Sequence, residues 1–356
     1  MSDFRCSAKA PSNIALIKYM GKEDPVLNLP ANPSISLTLD SLCTMTEVTL
    51  GERHGGAVQA ELSPVKVHNT VETQLSELAI QKIVRHTKRV IDHLVSKKDR
   101  GFFQDKTIEI RTTNSFPMGS GIASSASGFA ALTLAIAKLC KEVFGKTNPG
   151  LNPISMTLLS QISRQGSGSS CRSFEGPWVL WENQSACKIE SRLPPLTDLI
   201  LLVRTQPKKI SSSQAHELVK TSPLWEGRVN RVREKIKLLQ AALVQDDLAA
   251  VSKIAWSELW EMHSLFHTSR ETFTYFEPAT LQALKWIQPE LIGKTPPIVT
   301  LDAGPNVHFI VPALSAQMWK EKIQAEFPGF KILEDQQGLG ASYGIPTKSC
   351  ETHFHR

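Results

Sequence analysis

The chain has 356 residues, of which 41% are hydrophobic and 21% charged, with 20 Gly and 21 Pro. This composition excludes a disordered or fibrous protein, and the length favours one large α+β unit or two closely packed domains. The formal net charge of +6 is modest, so it permits anionic small molecules as ligands and does not indicate a nucleic-acid-binding protein.

The cysteines and the N-terminal residues indicate the cellular compartment of the protein. The six cysteines are scattered without a CxxC pair, which predicts reduced thiols and no structural zinc site. The opening MSDFRCSAKAPSN lacks the apolar segment of a signal peptide, and no run of about 18 apolar residues occurs. We therefore expect a cytoplasmic protein that does not cross a membrane.

The first third of the chain predicts a sheet followed by a helix. Gly, Pro and Asn separate four predicted strands, which are NIALIKYM (13–20), SISLTL (34–39), TMTEVTL (44–50) and AVQAEL (57–62). Residues 73–98 predict a helix because Leu75, Leu78, Ile83 and Val90 recur near the helical period. A further strand, TIEIRTTN (107–114), follows it.

A segment rich in Gly and Ser, FPMGSGIASSASG (116–128), joins this strand to a helix that begins with FAALTLAIAKLC (129–140). Glycines let the backbone approach a bulky anion, and the free N–H groups and dipole of the following helix favour negative charge. The segment therefore predicts a phosphate-binding loop, although a turn that only caps a buried helix would have a similar composition. Its spacing matches neither the P-loop nor the dinucleotide-binding fingerprint.

The second half predicts more helix and then a pair of strands. Strands are predicted at VLWENQ (179–184) and LILLVRT (199–205), helices over most of 223–266, and strands at PIVTLDAG (297–304) and HFIVPA (308–313). A soft boundary near residue 190 divides the chain into predicted domains 1–190 and 191–356.

Four motifs resemble one enzyme family. PMGSGIASSAS resembles the P-x-x-x-G-x-x-S-S-A phosphate loop of the GHMP kinase superfamily, whose members phosphorylate small alcohols with MgATP. APSNIALIKYMGK (10–22), SRQGSGSSCRSFEG (163–176) and TLDAGPN (300–306) resemble the A-P-x-N-I-A-x-x-K-Y-W-G-K, R-x-G-S-G-S-A-C-R-S and F-D-A-G-P-N motifs of the diphosphomevalonate decarboxylases. Together with NLPANPSISLTL and KKISSSQ, the matches extend over nearly the whole chain in family order.

The resemblance implies a fold, a reaction and partners. The implied fold is the α+β GHMP kinase fold, with a ribosomal protein S5 domain 2-like N-terminal part, an α+β C-terminal part and the active cleft between them. The implied reaction is the ATP-dependent decarboxylation of mevalonate 5-diphosphate to isopentenyl diphosphate through phosphorylation of the 3-hydroxyl, in the mevalonate pathway of isoprenoid biosynthesis. ATP and Mg²⁺ are the implied cofactors, and a homodimer is the implied assembly.

Three residues carry the implied chemistry. Lys18 would lie near the transferred phosphate, and the guanidinium of Arg172 suits the C1 carboxylate of the substrate. Asp302 would accept the proton of the 3-hydroxyl or align its oxygen. Two of them have a structural alternative: Arg172 could pair with Glu175 or Glu182, and Asp302 could simply hydrogen-bond its turn.

The other candidate residues bind phosphates or line the cleft. The predicted cofactor-binding residues are Pro117, Gly119, Ser120, Gly121, Ala123, Ser124 and Ser125, of which Ser125 is also expected to be catalytic. The predicted substrate-binding residues are Asn13, Tyr19, Lys22, Ser167, Gly168, Ser169, Arg172, Lys208, Ser212 and Ser213. No protein metal site is expected, because no His has metal-ligand spacing, and His267 in LFHTS, similar to the family's F-H-A-T, is expected to be structural or to support the site indirectly.

Two departures from the family pattern affect the substrate. Met20 replaces a Trp and so exchanges a flat wall for a flexible thioether. Glu72, in TVETQ, stands where the family's N-E-R-T-Q places an Arg near the substrate phosphate, and its charge would oppose a doubly phosphorylated tail unless Lys208 and Lys209 compensate. Three alternatives follow: a mevalonate 5-phosphate decarboxylase, a GHMP small-molecule kinase without decarboxylation, and a nucleotide-binding regulator without turnover.

Overall fold

Two large β-sheets, a separate two-stranded sheet and the helices make up the part of the chain that the computed structural model describes, residues 4–52, 65–68, 75–116, 124–151, 153–204 and 210–344. The strands are β1 (Phe4–Ile17), β2 (Lys22–Asp24), β3 (Leu29–Pro30), β4 (Ser34–Glu52), β5 (Val65–His68), β6 (Lys106–Asn114), β7 (Trp178–Glu182), β8 (Ser185–Lys188), β9 (Leu196–Leu202), β10 (Ile298–Thr300), β11 (Val307–Pro312), β12 (Lys331–Gln336) and β13 (Ser342–Tyr343). The helices are α1 (Glu77–Leu94), α2 (Ser124–Phe144), α3 (Met156–Arg164), α4 (Ser212–Leu218), α5 (Arg228–Val244), α6 (Leu248–Thr268), α7 (Pro278–Ile287) and α8 (Ala316–Glu326). The predicted α+β class is confirmed.

The first sheet is built on two long antiparallel strands, β1 and β4. They pair from Phe4 opposite Leu50 to Ile17 opposite Ile35. The prediction of separate strands at 34–39 and 44–50 is wrong, because β4 runs without a break through Asp40. The reason is tertiary: Asp335 on β12 accepts the main-chain N–H groups of residues 40–42 and so holds these turn-prone residues extended.

Helix α2 packs on the faces of β1 and β4. Ala is the strongest helix former, and its small side chain lets the helix lie close to the sheet. Five fully buried alanines share this role, and they are Ala126, Ala130, Ala131, Ala135 and Ala137. The helix begins at Ser124, five residues before the predicted start. The predicted loop residues 117–123 and the predicted strand AVQAEL lie outside the described residues.

The second sheet, in the order β10-β11-β9-β12, shares a hydrophobic core with the first. Ile14 and Leu37 of the first sheet lie in one cluster with Ile200 and Ile310 of the second, closed by α5 and α6. This shared core brings the end of β1 beside the end of β10. The predicted boundary near residue 190 falls between β8 and β9, and the division into two domains stays a prediction.

Several elements differ from the predicted pattern. The helical pattern at 223–266 corresponds to two helices, α5 and α6, and the structure adds α3, α7, α8, β12 and β13. The short 3-10 helices are Asp99–Phe103, Pro149–Leu151, Gly168–Ser173, Val219–Thr221, Pro223–Trp225, Gln288–Ile292 and Ala313–Ser315. None of the helices formed by the described residues is both long and apolar enough to cross a membrane.

Candidate active site

A cavity of about 790 Å³ opens where the ends of β1 and β10 meet α2, α4 and the 3-10 helix Gly168–Ser173. Most predicted site residues that the structure describes line it, and they are Lys18, Tyr19, Lys22, Ser124, Ser125, Ser167, Gly168, Ser169, Arg172, Ser212, Ser213 and Asp302. Pro117, Gly119, Ser120, Gly121, Ala123 and Lys208 lie outside the described residues. Residues that are scattered through the sequence therefore meet in one place.

An ion pair between Lys18 and Asp302 lies at the floor of the cavity. The Lys18 Nζ donates to Asp302 Oδ1 at 2.8 Å, with side chains 2% and 24% exposed. The main-chain carbonyl of Asp302 accepts the N–H of Gly304 at 2.7 Å. The turn is thus closed by main-chain groups and does not use the side chain of Asp302. The carboxylate instead bonds Lys18 and lines the cavity.

The surroundings keep Asp302 ionised. Burial would raise the pKa of its carboxyl, but the charge and hydrogen bond of Lys18, with the charges of His308 and Arg172, hold it below its usual range. Burial lowers the pKa of Lys18, and the carboxylates of Asp302 and Glu258 oppose this effect. Asp302 is therefore a carboxylate that can accept a hydrogen bond from a substrate hydroxyl.

Arg172 is buried, and its hydrogen-bond partners are neutral. Its Nε donates to Asn13 Oδ1 at 3.1 Å and its Nη1 to Ser34 Oγ at 2.7 Å. Within the part of the chain that the structure describes, Arg172 pairs with neither Glu175 nor Glu182, and the Glu175 carboxylate accepts the main-chain N–H of Lys188. A guanidinium held by neutral groups at a cavity wall retains its charge for an anionic ligand.

Asn13 supports Arg172 from behind and does not line the cavity. Its Nδ2 donates to Ser173 Oγ at 2.9 Å and to the Ser169 carbonyl at 3.3 Å, while its oxygen accepts from Arg172. The amide is thus engaged by the protein. Asn13, which the sequence predicts to bind substrate, would therefore act on the substrate through Arg172 rather than by direct contact.

The first turn of α2 meets the segment before the 3-10 helix. The hydroxyl of Ser167 donates to Ser125 Oγ at 3.3 Å, and Ser124 lies beside them at the cavity wall. No acidic residue occurs in this first turn. Hydroxyls and the free N–H groups of a helix N-terminus suit a phosphate, so the described part of the predicted loop fits phosphate binding.

The three consecutive serines at 211–213 have different roles. Ser211 is the N-cap of α4 and forms a capping box with Gln214, which leaves Ser212 and Ser213 at the cavity wall. The N-cap of this helix is therefore a residue other than the two predicted to bind substrate.

Tyr19 forms an aromatic wall with two residues that the sequence reasoning missed. Its ring centroid lies 4.5 Å from that of Trp181 and 4.3 Å from that of His216. A Cβ on Gly168 would lie 2.8 Å from the Tyr19 ring, so this position needs glycine. His216 accepts the N–H of Gly21 at 3.0 Å, and burial and nearby lysines lower its pKa to about 3. Nothing in the sequence distinguishes this His from other helical His residues.

Met20, the departure from the family's Trp, is buried in the cavity wall. The next residue, Gly21, has φ +78° and packs directly against the ring of Trp225, which occupies the space that a Cβ would need. The indole of Trp225 thus lies beside Met20, the position at which the family pattern has a Trp.

Two lysines beyond Lys18 line the cavity, and the charge of a third, Lys220, acts on one of them. The two that line it are Lys22 and Lys82. Burial lowers the pKa of Lys22, Glu217 opposes this effect, and the charges of Lys82 and Lys220 lower it further. A cluster of ammonium groups of this kind attracts anions. The sequence reasoning considered only Lys208 and Lys209 as a counterweight to Glu72, and all three lie outside the described residues.

His263 on α6 is a further residue that the sequence reasoning missed. It is fully buried near the ion pair and stacks on Phe276, with ring centroids 4.4 Å apart. Burial and the charge of Lys18 are the main causes that lower its pKa to about 3, so it is neutral. His267, which the sequence singled out, instead bonds Thr274 at 3.1 Å in a more open setting.

The oxygen donors at the cavity fit a magnesium ion that arrives with a nucleotide. Among the described residues, no three His, Cys, Asp or Glu side chains form a group that could hold a metal. Ser124, Ser125 and Asp302 nevertheless offer oxygen atoms at the cavity wall. Mg²⁺ in nucleotide sites takes only one or two protein ligands beside phosphates and waters, so no fuller cage is needed.

Comparisons with known proteins match the chain along most of its length. Residues 10–192 match the diphosphomevalonate decarboxylase-like N-terminal domain, and residues 198–348 match the mevalonate 5-diphosphate decarboxylase C-terminal domain. The diphosphomevalonate decarboxylase of Saccharomyces cerevisiae is 32% identical over 86% of this chain and 77% of its own.

Solved structures agree in fold. A mevalonate diphosphate decarboxylase from Legionella pneumophila superposes with a TM-score of 0.78 at 34% identity, covering 93% of this chain and 100% of its own. The structure of MDDEF in complex with MVAPP, AMPPCP and magnesium gives a TM-score of 0.80 at 27% identity, covering 97% and 100%.

Proposed function

The chain belongs to the diphosphomevalonate decarboxylase family, and on that premise we propose that it converts mevalonate 5-diphosphate and ATP into isopentenyl diphosphate, ADP, phosphate and CO₂. The observation that carries the proposal is the Lys18–Asp302 ion pair, 2.8 Å long, in one cavity with Arg172. A relative binds MVAPP, the ATP analogue AMPPCP and magnesium together. The joint presence of Lys18, Arg172 and Asp302 at one cavity disfavours a kinase without decarboxylation.

The first step in this proposal is phosphoryl transfer to the tertiary 3-hydroxyl. Asp302 accepts the hydrogen bond of that hydroxyl and takes its proton as the oxygen attacks the γ-phosphate of ATP. Lys18 lies against the same carboxylate. The negative charge of the incoming phosphate oxygens therefore attracts its ammonium at the same time as Asp302 does. As the positive charge of the ammonium is shared with the phosphate, Asp302 becomes a stronger base at the moment when the proton is transferred.

The second step is an elimination that Arg172 orients. The C3–O bond breaks with its electron pair on the departing phosphate, the C1–C2 pair forms the new double bond, and the carboxylate leaves as CO₂. Arg172 holds the carboxylate in line with the breaking bond, and Asn13 and Ser34 fix the guanidinium. Positioning of this kind accounts for a large part of such barriers.

Magnesium, bound mainly by the nucleotide phosphates, would neutralise their charge, with Ser124 and Ser125 as its protein-side oxygens. The same serines, at the start of α2, offer hydroxyl and N–H groups to the phosphates. The homodimer that the family resemblance implies and the cytoplasmic location that the cysteines and the N-terminal residues predict both stay predictions.

The function is tested by supplying purified protein and MgATP with mevalonate, its 5-phosphate or its 5-diphosphate in parallel. We expect equal amounts of CO₂, phosphate and ADP with the 5-diphosphate. Release with the 5-phosphate alone would make the chain a monophosphate decarboxylase. ADP without CO₂ would leave a kinase, and ATP binding without substrate-stimulated hydrolysis would leave a regulator.

Lys22 and Lys82 at the cavity wall favour the 5-diphosphate over the 5-phosphate. We expect Lys82→Met to raise KM for the 5-diphosphate about 5- to 10-fold, as the loss of one charge–phosphate contact does, and to leave KM for the 5-phosphate nearly unchanged. The shorter substrate carries less negative charge, so it depends less on Lys82. Steady-state kinetics with both substrates measures the difference.

Lys88 offers a matched control, since it is a lysine of the same helix that does not line the cavity. Lys88→Met should leave both KM values at the wild-type level. Equal effects of Lys82→Met on the two substrates would show that this lysine does not select the second phosphate.

A further inference from the structure

A buried cluster of charges lies between α5 and α6, away from the cavity wall. Glu258 on α6 and Arg228 on α5 are both fully buried. The Arg228 Nη1 donates to Glu258 Oε2 at 3.0 Å, its Nη2 donates to Oε1, and Lys235 Nζ donates to Oε2 at 2.9 Å. A buried ion pair of this kind is costly to desolvate and is weak evidence for stability. Its position therefore calls for another explanation.

A fourth donor to Glu258 connects the cluster with the active site. The main-chain N–H of Lys18 donates to Glu258 Oε1 at 3.1 Å, while Asn32 Nδ2 donates to the Lys18 carbonyl at 2.9 Å. Lys18 directly follows the last residue of β1. Both of its main-chain groups are thus held by side chains from outside the strand, and its ammonium extends from this anchored point to Asp302.

The charge of Glu258 also acts on the Lys18 ammonium. The groups that face this ammonium are Asp302, Arg172, Glu258 and the neutral His263. Burial and Arg172 disfavour its charged form, and Asp302 and Glu258 favour it. When Asp302 takes the substrate proton, its negative charge is lost, whereas Arg228 and Lys235 hold the pKa of Glu258 below its usual range. Glu258 therefore remains an anion throughout the reaction.

We propose that Glu258, held in place by Arg228, is a positioning residue for Lys18: it fixes the main chain from which the lysine reaches Asp302 and the transferred phosphate, and it supplies a constant negative charge that keeps the ammonium protonated. The consequence for catalysis rests on the proposed function. The contact between Glu258 and Lys18 is independent of it.

The test compares Glu258→Gln with Glu261→Gln. Glu261, three residues further along α6, also pairs with Arg228 and Lys235, and it has no hydrogen bond or ion pair with Lys18 among the described residues. We expect Glu258→Gln to lower kcat about 10- to 100-fold with a smaller change in KM. The alkaline limb of kcat/KM should move to lower pH, because Lys18 loses a charge that favours its ammonium. Glu261→Gln should show neither change, whereas equal kinetics and pH profiles for the two variants would overturn the proposal.

A measurement without turnover separates this proposal from the proposed function. In protein labelled with carbon-13 at the lysine ε position, the resonance of Lys18 is assigned by its absence in Lys18→Met. Its titration midpoint should fall in Glu258→Gln and stay in place in Glu261→Gln, even if no mevalonate phosphate is a substrate. An identical midpoint in the two variants would show that Glu258 does not act on Lys18.

Arg228→Lys covers the case in which Glu258→Gln does not fold. This variant keeps the positive charge and loses the fork that fixes Glu258. We expect a lower kcat than in Glu261→Gln, with the alkaline limb at the wild-type position, since Glu258 is still charged. A kcat equal to that of Glu261→Gln would overturn the positioning role.

Discussion

Replacing Asp302 by Asn is expected to lower kcat about 10³-fold, the scale on which loss of a general base acts. The amide cannot take the proton of the 3-hydroxyl, and it leaves the buried Lys18 ammonium without its carboxylate partner. Phosphoryl transfer is the step that needs the base, so ADP and CO₂ formation should fall together. A coupled ADP assay beside CO₂ trapping measures both products.

The control for Asp302→Asn is Asp335→Asn. Asp335 is a buried carboxylate on β12 that accepts hydrogen bonds from Ser41 and Leu42 and does not line the cavity. This variant should lose stability, measured as a lower Tm, while the kcat of its folded fraction stays near wild type. If Asp302→Asn formed ADP normally and lost only CO₂, the carboxylate would act in the elimination and our assignment of the base would be wrong.

The pH dependence of kcat/KM provides a second test of Asp302. The reactive form is the carboxylate, and its pKa lies below the usual range because of Lys18, His308 and Arg172. The acid limb that this group contributes should therefore lie below the usual range for an aspartate, since kcat/KM reports the free enzyme. In Lys18→Met the pKa of Asp302 should rise, and this limb should move to higher pH.

Replacing Arg172 by Lys is expected to lower kcat about 10²-fold, because positioning of the carboxylate contributes on this scale. A lysine keeps the charge but cannot maintain the hydrogen bonds to Asn13 and Ser34 while facing the substrate. The elimination should suffer more than phosphoryl transfer, so the ratio of CO₂ to ADP should fall below one and a phosphorylated intermediate should accumulate. Product quantification by mass spectrometry measures this ratio.

Arg164 is the matched control for Arg172. It is also a buried arginine, but its guanidinium donates to the main-chain carbonyl of Leu27 and does not line the cavity. Arg164→Lys should reduce stability by about 1–3 kcal/mol, the cost of an impaired buried hydrogen bond, and keep the ratio of CO₂ to ADP at one. A ratio of one in Arg172→Lys as well would contradict the role of Arg172 in holding the carboxylate.

The residues that we propose carry the chemistry could be named from the sequence because each lies in a short motif. Lys18, Arg172 and Asp302 could be named from the few residues around them, and the start of α2 could be placed approximately from its Gly/Ser segment and alanine-rich pattern. Periodicity identified strands and helices because it records which side chains are buried. Periodicity does not show which other helices and strands those side chains pack against.

The tertiary structure alone decided which groups meet. Lys18 and Asp302 are separated by 284 positions in the chain, and their contact depends on the core that the two sheets share. The continuity of β4 depends on Asp335, far along the chain, and the positions of Glu258 and His263 follow from how α6 packs. Local sequence determines backbone preference and the chemistry available. The distances between the site side chains are set by the packing of all the helices and strands together. No short segment of the sequence can therefore predict those distances.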